Sequence, residues 1–228
     1  MKPSIPGCSR GNGQGSSLGA TQDLGSAVVA APNPSERARI MDAASRLLSS
    51  GSGLSVTDVL EGAGLSTRAF YRHFESKDAL LLALFRRDSE RVNAQLEAAV
   101  AAAATPRDAL VGWIQGTLRL VVDPRRRQRV QTFSAEEVTR ARGLTGERHR
   151  IQQAQVAALT AIIAAGQADG SFPWAVLPGD AHAIRAALGS ALEDQIAQVA
   201  SVSADEAAAE IADFALRALG AKDRGRRS

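Results

Sequence analysis

Cysteine and aromatic residues are scarce in this chain of 228 residues. Cys8 is the only cysteine, so the chain cannot form an internal disulfide, and a cysteine-ligated zinc or iron–sulfur site is not expected within it. Phe, Trp and Tyr together make up only 4% of the residues, and these side chains favour strands. We therefore expect no metal site, no cofactor and little or no sheet.

Long apolar runs are also missing. No run approaches the roughly 18 residues that a membrane-spanning helix requires. The first eight residues lack the apolar stretch of a signal peptide. We therefore expect a cytoplasmic protein without a membrane partner. Because the sequence has no glycine-rich phosphate loop, nucleophile elbow or paired metal motif, we do not expect an enzyme.

Lysine is nearly absent, since 24 of the 27 basic residues are arginine. A GC-rich genome explains most of this bias, although arginine also pairs well with phosphate oxygens. The formal net charge is +3 and the sequence pI is near 9.6. This excess of positive charge is too small to indicate nucleic-acid binding by itself.

Alanine is abundant, with 44 residues, and it is the strongest helix former. Apolar residues recur with helical spacing from Ser35 onwards, and Gly and Pro residues separate about nine helical segments. We therefore predict an all-α protein. Its predicted parts are a flexible tail (1–34), a first domain (35–81), a second helical domain (82–220) and a basic tail (221–228).

Residues 54–74 have the pattern of a helix-turn-helix, with two short helices joined by a turn that contains Gly64. In this motif the second helix lies in the major groove of DNA. Its outer face must supply donors to phosphates and base edges. Phe70 and Phe74 are four residues apart and can face the core.

The same region resembles the N-terminal domain of TetR-type transcriptional regulators. The order and spacing match from Arg37 to Leu81, on the segments Val56-Thr57-Asp58-Val59, Ala63-Gly64-Leu65-Ser66, Phe70-Tyr71-Arg72-His73-Phe74 and Ser76-Lys77-Asp78-Ala79-Leu80-Leu81. The resemblance implies a three-helix DNA-binding domain, which a fourth helix joins to a helical ligand-binding domain. It also implies a homodimer built mainly by the last two long helices, which represses a promoter and leaves DNA when a small molecule binds.

Nine residues are the candidates for DNA contact. The start of the second helix should approach base edges, which makes Arg68 the best base-contacting candidate, with a contact to phosphate alone as the alternative. The resemblance implies phosphate contacts for Tyr71, His73 and Lys77, although Tyr71 can instead be half-buried and His73 can be a capping residue. The remaining candidates are Arg37, Thr57, Ser66, Thr67 and Arg72; for Thr57 the alternative is a local bond at the helix start.

A ligand pocket between helices is harder to locate. The candidates are large or polar side chains, and most of the apolar ones can equally be ordinary core: Trp113, Thr117, Gln131, Phe133, Glu137, His149, Gln153, Trp174 and His182. The effector itself, an unknown small molecule, cannot be identified from them.

Two apolar stripes near the C-terminus predict a dimer interface, because abundant Ala lets helices approach closely. The candidates are Ile184, Leu188, Leu192, Ile196 and Val199 on one helix, and Ile211, Phe214, Ala215 and Ala218 on the next. The alternative is that these side chains are buried within one chain.

The most basic stretch lies outside the helix-turn-helix, where residues 124–150 carry eight Arg against three Glu. Arginines are unfavourable at a helix N-terminus, so the run from Arg125 to Arg129 calls for an explanation. We expect it to lie near the domain junction, where it either aids DNA binding or pairs with acidic residues. The alternative is a solvated face.

The sequence thus predicts a repressor that binds a partly palindromic, double-stranded DNA operator as a homodimer and is released by a small molecule. Two alternatives stay open. One is an activator that uses the same DNA contacts. The other is a helical interaction protein that has lost DNA binding.

Overall fold

The computed structural model describes residues 35–51, 53–134 and 141–221, without the side chain of Ser134. The described residues form nine α-helices and no strands, which confirms the all-α prediction. The helices are α1 (Glu36–Ser49), α2 (Val56–Ala63), α3 (Thr67–His73), α4 (Lys77–Ala101), α5 (Pro106–Leu118), α6 (Pro124–Ser134), α7 (Leu144–Ala168), α8 (Gly179–Ala197) and α9 (Ala204–Ala218). A short 3-10 turn (Arg119–Val121) follows α5.

Polar side chains cap several of these helices and fix where they begin. Ser35, Ser66 and Ser76 each accept a hydrogen bond from the backbone N–H three residues ahead. Ser203 and Glu206 form a reciprocal capping box at the start of α9. Such caps satisfy backbone donors that have no partner within the helix.

Helix α8 ends at Ala197, because Gln198, the next residue, adopts a left-handed conformation with φ 59°.

The apolar side chains form two clusters that meet along α4. The first cluster joins α1, α2, α3 and the start of α4, and it includes Phe133, Ala141 and Leu144 from later in the chain. The second joins the later part of α4 to α5, α7, α8 and α9. The first core is therefore not confined to residues 35–81, although the domain boundary proposed there stays a prediction.

A close approach between α7 and the loop after it depends on glycine. A Cβ atom at Gly166 would overlap the ring of Phe172, which is fully buried in the second cluster. The missing side chain thus allows the loop that precedes α8 to pack against α7. None of the described helices, including the 25-residue α4 and α7, combines the length and apolarity needed to cross a membrane.

Candidate nucleic-acid interface

The turn between α2 and α3 is held by arginines of α1. Gly64 adopts a left-handed conformation with φ 61°, which ends α2 without the cost that a side chain would bring. Arg39 donates hydrogen bonds to the carbonyl oxygens of Ala63 at 2.6 Å and of Gly64 at 3.2 Å. Arg46 donates to the Gly62 oxygen at 3.2 Å. These contacts fix the angle at which α3 leaves the turn.

Helix α3 buries one face and exposes the other. Ala69 and Phe70 are buried, as is Phe74 just after the helix, which confirms that the two phenylalanines face the core. The exposed positions are Ser66, Thr67, Arg68, Tyr71, Arg72 and His73, so the predicted DNA candidates at this helix share its solvent face. Ser66 also stabilises the start of α3, because its Oγ accepts a hydrogen bond from the backbone N–H of Ala69.

Tyr71 projects from this face, with 60% of its surface exposed. Its ring packs edge-on against Phe70, with the ring centroids 5.3 Å apart. The alternative of a half-buried packing residue is therefore wrong. The hydroxyl end is available to solvent while the buried Phe70 restrains the ring, an arrangement that suits a hydrogen bond to a phosphate.

A carboxylate that the sequence analysis did not single out lies against the end of α3. Glu36, in the first turn of α1, accepts a hydrogen bond from His73 Nε2 at 3.1 Å and pairs with the Arg72 guanidinium at 3.1 Å. The hydrogen bond from His73, helped by the charge of Arg72, holds the pKa of the Glu36 carboxyl below its usual range. Two candidate phosphate contacts therefore already have an anionic neighbour.

The remaining DNA candidates surround α3. Thr57 is exposed near the start of α2, and the local bond considered for it is not observed. Lys77 is the half-buried first residue of α4. The Arg37 guanidinium lies 5.3 Å from the centre of the Phe74 ring and donates to the Met41 sulfur at 3.2 Å. The Arg37 side chain thus packs against the first core, although Arg37 as a whole remains exposed to solvent.

The ligand-pocket candidates do not converge on one place. Trp113 lines a large apolar cavity of about 720 Å³, which we call the alanine groove because alanines of α4, α5 and α7 form most of its wall. Thr117 is buried and donates to the Trp113 carbonyl. Phe133 lines a second cavity of about 270 Å³, which we call the junction cavity; its wall includes Phe85, Asp88, Ser89, Arg129 and Arg148.

The other pocket candidates lie away from both cavities or have local partners. Gln131 donates to the Ile196 carbonyl at 2.6 Å. His149 and Gln153 are exposed and bonded to each other, and His182 is bonded to the Pro178 carbonyl. Trp174 is 69% exposed and lines neither cavity, so the described residues of one chain do not enclose it. Glu137 lies outside the described residues.

The predicted dimer residues divide into two groups. Ile184, Leu188 and Ala215 are buried in the chain's own second core, so placing them in an interface was wrong. The other six keep exposed surface: Leu192, Ile196, Val199, Ile211, Phe214 and Ala218. Helices α8 and α9 therefore still present apolar side chains that the chain itself does not cover.

The arginine run reaches the junction between the two cores through Arg129. Its guanidinium pairs with Asp88 of α4 at 3.1 Å and donates to Ser49 Oγ of α1 at 2.8 Å. The expected pairing with an acidic residue is therefore observed for Arg129 alone, whereas Arg125 and Arg126 are exposed, as the alternative of a solvated face predicts. The unfavourable position of the run is offset by Asp123, whose carboxylate accepts from the backbone N–H groups of Arg125 and Arg126.

A buried carboxylate, which sequence reasoning also missed, connects α4 to α7. The Glu147 side chain is only 3% exposed and pairs with Arg86 of α4 at 2.8 Å and with Arg150 of its own helix. The hydrogen bond from Arg150, reinforced by Arg86, lowers the pKa of Glu147 in spite of its burial. No local sequence signal marks a pair separated by 61 residues.

Comparisons with known proteins agree with this architecture. Residues 40–84 match the family described as bacterial regulatory proteins, tetR family. The chain is 33% identical over 87 residues to the uncharacterized HTH-type transcriptional regulator MT1294 of Mycobacterium tuberculosis. That match covers 37% of this chain and 43% of the relative, so the chain spans less than half the length of the curated relatives it matches.

Solved structures share the fold over most of the chain. The fatty acid degradation regulator FadR from Bacillus halodurans gives a TM-score of 0.65 at 14% identity, over 83% of this chain and 99% of that chain. FadR from Bacillus subtilis in complex with stearoyl-CoA gives 0.65 at 15% identity, over 79% and 97%. A transcriptional regulator from Rhodococcus sp. Rha1 gives 0.64 at 21%, over 82% and 98%.

The matched segment contains α2, α3 and most of α1, which are the helices that build the exposed face of α3. The described helices that follow have the arrangement of the solved regulators. The family consists of DNA-binding transcriptional regulators rather than enzymes. Residues 40–84, the helix-turn-helix segment, thus match the tetR family of bacterial regulatory proteins, and the described helices have the fold of solved regulators.

Proposed function

We propose that the protein is a transcriptional repressor of the cytoplasm that binds double-stranded DNA through α3 and leaves it when a small molecule binds. The observation that carries this proposal is the exposed face of α3, where Arg68, Tyr71 and Arg72 lie together above a buried Ala69 and Phe70. Arginine and hydroxyl groups at the start and middle of such a helix are donors to base edges and phosphates.

Arg68 has the favoured position for base contact. It is the second residue of α3, it is exposed, and the N-terminal residues of a recognition helix approach base edges most closely. A bidentate contact between an arginine and guanine is the commonest specific contact in the major groove. Tyr71, Arg72 and His73 lie one turn further along, where phosphate contacts fix the position of the helix.

A homodimer is the assembly that we propose. The incompletely covered apolar residues of α8 and α9 and of the turn after α8, among them Phe214 at 51% exposure and Val199 at 71%, favour packing against the same surface of a second copy. Two-fold symmetry then requires a partly palindromic operator. Its half-sites are expected one DNA turn apart, about 34–36 Å, or at a related spacing.

Cavities beside α4 support release of the protein from DNA by a small molecule. The alanine groove and the junction cavity both border the second helical region, and a structural relative, the Bacillus subtilis FadR, is known in complex with stearoyl-CoA. A ligand can release the protein from DNA only if it binds more tightly to a conformation that binds DNA poorly. The position of α4, which borders both cavities and begins beside α3, makes it the element through which that change would pass.

DNA binding is tested by fluorescence anisotropy with the DNA upstream of the protein's own gene, at several salt concentrations. We expect tight binding that weakens with salt, because phosphate contacts release counterions. Arg68→Ala should weaken binding to the operator roughly 5- to 150-fold, the range for loss of a bidentate base contact. Arg217→Ala is the matched control, since this exposed arginine of α9 lies far along the chain from α3 and pairs with Asp213.

Equal loss of affinity in both variants, or none in either, would contradict the assignment of α3. If the upstream DNA does not bind specifically, selection from random DNA decides whether an operator lies elsewhere. Failure to select any sequence would favour the alternative of an interaction protein without DNA binding. A reporter placed behind the operator then separates repressor from activator, because deleting the gene raises expression in the first case and lowers it in the second.

A further inference from the structure

We propose that the junction cavity binds a small organic carboxylate with a compact apolar body, and that Arg148 is the partner of its carboxylate group. This inference rests on the proposed function, because it names the chemical class of the effector. The cavity lies between α4, the 3-10 turn, α6 and α7. Its volume of about 270 Å³ is slightly below the roughly 300–1,000 Å³ of ordinary small-molecule pockets, which favours a compact ligand.

Most of the cavity wall is apolar. Phe85 and Phe133 pack edge-on with their ring centroids 5.4 Å apart, and Val92, Val130 and Ile151 extend the apolar surface. Rings and branched side chains of this kind bury the apolar part of a ligand. An aromatic or branched body is therefore the part of the ligand that the wall recognises.

Two arginines line the cavity, and they differ in their partners. The Arg129 guanidinium pairs with the Asp88 carboxylate and with Ser49, so its charge is already balanced. Arg148 donates to the Phe133 carbonyl and lies 6.0 Å from the centre of the Phe85 ring. Within the described ranges no carboxylate forms an ion pair with Arg148, so its charge has no described partner of opposite sign at this wall.

The charges that line the junction cavity favour a ligand with a single negative charge. With Arg129 and Asp88 balancing each other, Arg148 can offset one negative charge. An arginine fork matches the two oxygens of a carboxylate. A phosphate monoester would bring about 1.5 to 2 negative charges, and the excess would be buried against apolar side chains at a large cost. A neutral or cationic ligand would leave the guanidinium unpaired or repelled.

A ligand in the junction cavity would lie next to residues that also pack against the DNA-binding helices. Phe133 belongs at once to the cavity wall and to the first core, which contains α1, α2 and α3. Arg129, on the same wall, reaches Ser49 at the end of α1. A carboxylate drawn to Arg148 competes with the Phe133 carbonyl for its donors, so binding changes the contacts of a residue that belongs to the first core.

The test uses the full-length protein without DNA and six probes. They are benzoate, phenylacetate and 3-phenylpropionate, each with its neutral amide, measured by thermal shift and by isothermal titration calorimetry. At least one carboxylate should raise the Tm of the wild type while its amide does not. Arg148→Gln should weaken the Kd of that carboxylate roughly 10- to 100-fold, the value of a charged hydrogen-bonded pair. Arg148→Lys keeps the charge and should lose less.

Arg91→Gln is the matched control, since it removes the charge of an exposed arginine on α4 that does not line the cavity. If Arg148→Gln fails to fold, Ser89→Phe provides the second variant. It fills the cavity from α4, keeps Arg148 and should abolish binding. Carboxylates that bind no better than their amides, or that bind equally to wild type, Arg148→Gln and Ser89→Phe, would overturn the proposal.

The two proposals fail separately. Ligand binding is measured here without DNA, whereas the Arg68→Ala experiment measures DNA binding without ligand. Binding of a carboxylate by a protein that selects no DNA would leave the cavity assignment intact and reject the repressor. A protein that binds its operator but no carboxylate would do the reverse.

Discussion

At the scale of single residues, Glu36 changes how the DNA-binding face is understood. Its carboxylate holds Arg72 and His73, two of the groups expected to contact phosphate. A phosphate must therefore compete with Glu36 for both of them. The sequence shows that Glu36 is an acidic residue at a helix start, where a negative charge is favourable. It gives no signal that residues 36 and 73 are neighbours, because that contact depends on how α1 packs against α3.

Glu36→Gln removes this competition and should tighten DNA binding up to about fivefold, the usual limit for an exposed ion pair. Anisotropy at low salt measures the effect, which should shrink as salt rises. Asp58→Asn is a suitable control, because Asp58 is an exposed acidic residue of α2. Weaker binding by Glu36→Gln alone would show instead that the carboxylate positions Arg72 and His73 for DNA.

Local chemistry explains why some residues could be placed from the sequence and others could not. Ser35, Ser66, Ser76 and Ser203 each cap a helix, and such caps can be recognised from the sequence because they involve only the next three residues. Trp174 was a candidate for the ligand pocket but is exposed, because its surroundings depend on helices that are distant in the sequence.

At the scale of helices, the polar contacts between α4 and its neighbours are the feature that could least be predicted from the sequence. Arg87 of α4 donates to Asp42 and Ser45 of α1, and Arg86 pairs with Glu147 of α7. Helical periodicity predicts which side chains are apolar and face a core. It does not say which arginine of a polar face meets which carboxylate, because that is decided by the crossing of two helices.

Glu147→Gln should destabilise the protein at neutral pH by about 1–2 kcal/mol. This value is below the cost of breaking a fully buried pair, since Arg86 and Arg150 are more than half exposed. The folded state lowers the pKa of Glu147, so its stabilisation is present above the pKa of the unfolded chain and is lost as the pH falls through the folded value.

The measurement is urea unfolding of wild type and Glu147→Gln between neutral pH and pH 3. The difference in free energy of unfolding should shrink as the pH falls below about 4.3, the ordinary pKa of a glutamate. A difference that stays constant with pH would mean that the variant acts through packing. Glu210→Gln, an exposed residue of α9, controls for the loss of one carboxyl group.

At the scale of the whole molecule, one chain leaves apolar surface on α8 and α9 that its own helices do not cover. The sequence predicted stripes on both helices correctly, but it could not separate the part buried within the chain from the part left exposed. Ile184 and Phe214 have the same apolar character, and only the fold shows that the first is 2% exposed and the second 51%.

Phe214→Glu should convert a dimer into a monomer at micromolar concentration, because the charge would be buried against the same helix of the second copy. Size-exclusion chromatography with light scattering measures the mass, which should fall from twice 23.8 kDa to 23.8 kDa. Val122→Glu is the control, since this valine is 52% exposed and lies outside α8 and α9. A wild-type protein of single-chain mass, or a Phe214→Glu dimer, would contradict the interface.

Phe133 belongs to two structures at once, the wall of the junction cavity and the core beneath the DNA-binding helices. If the junction cavity holds the effector, as we propose, mutations that repack this ring for thermal stability will also alter the concentration of effector that releases the protein from DNA. Mutations selected for a new effector will in turn change how well the first core holds together. Heat tolerance and responsiveness cannot evolve independently at this position, so variants that improve one are expected to need a second change that restores the other.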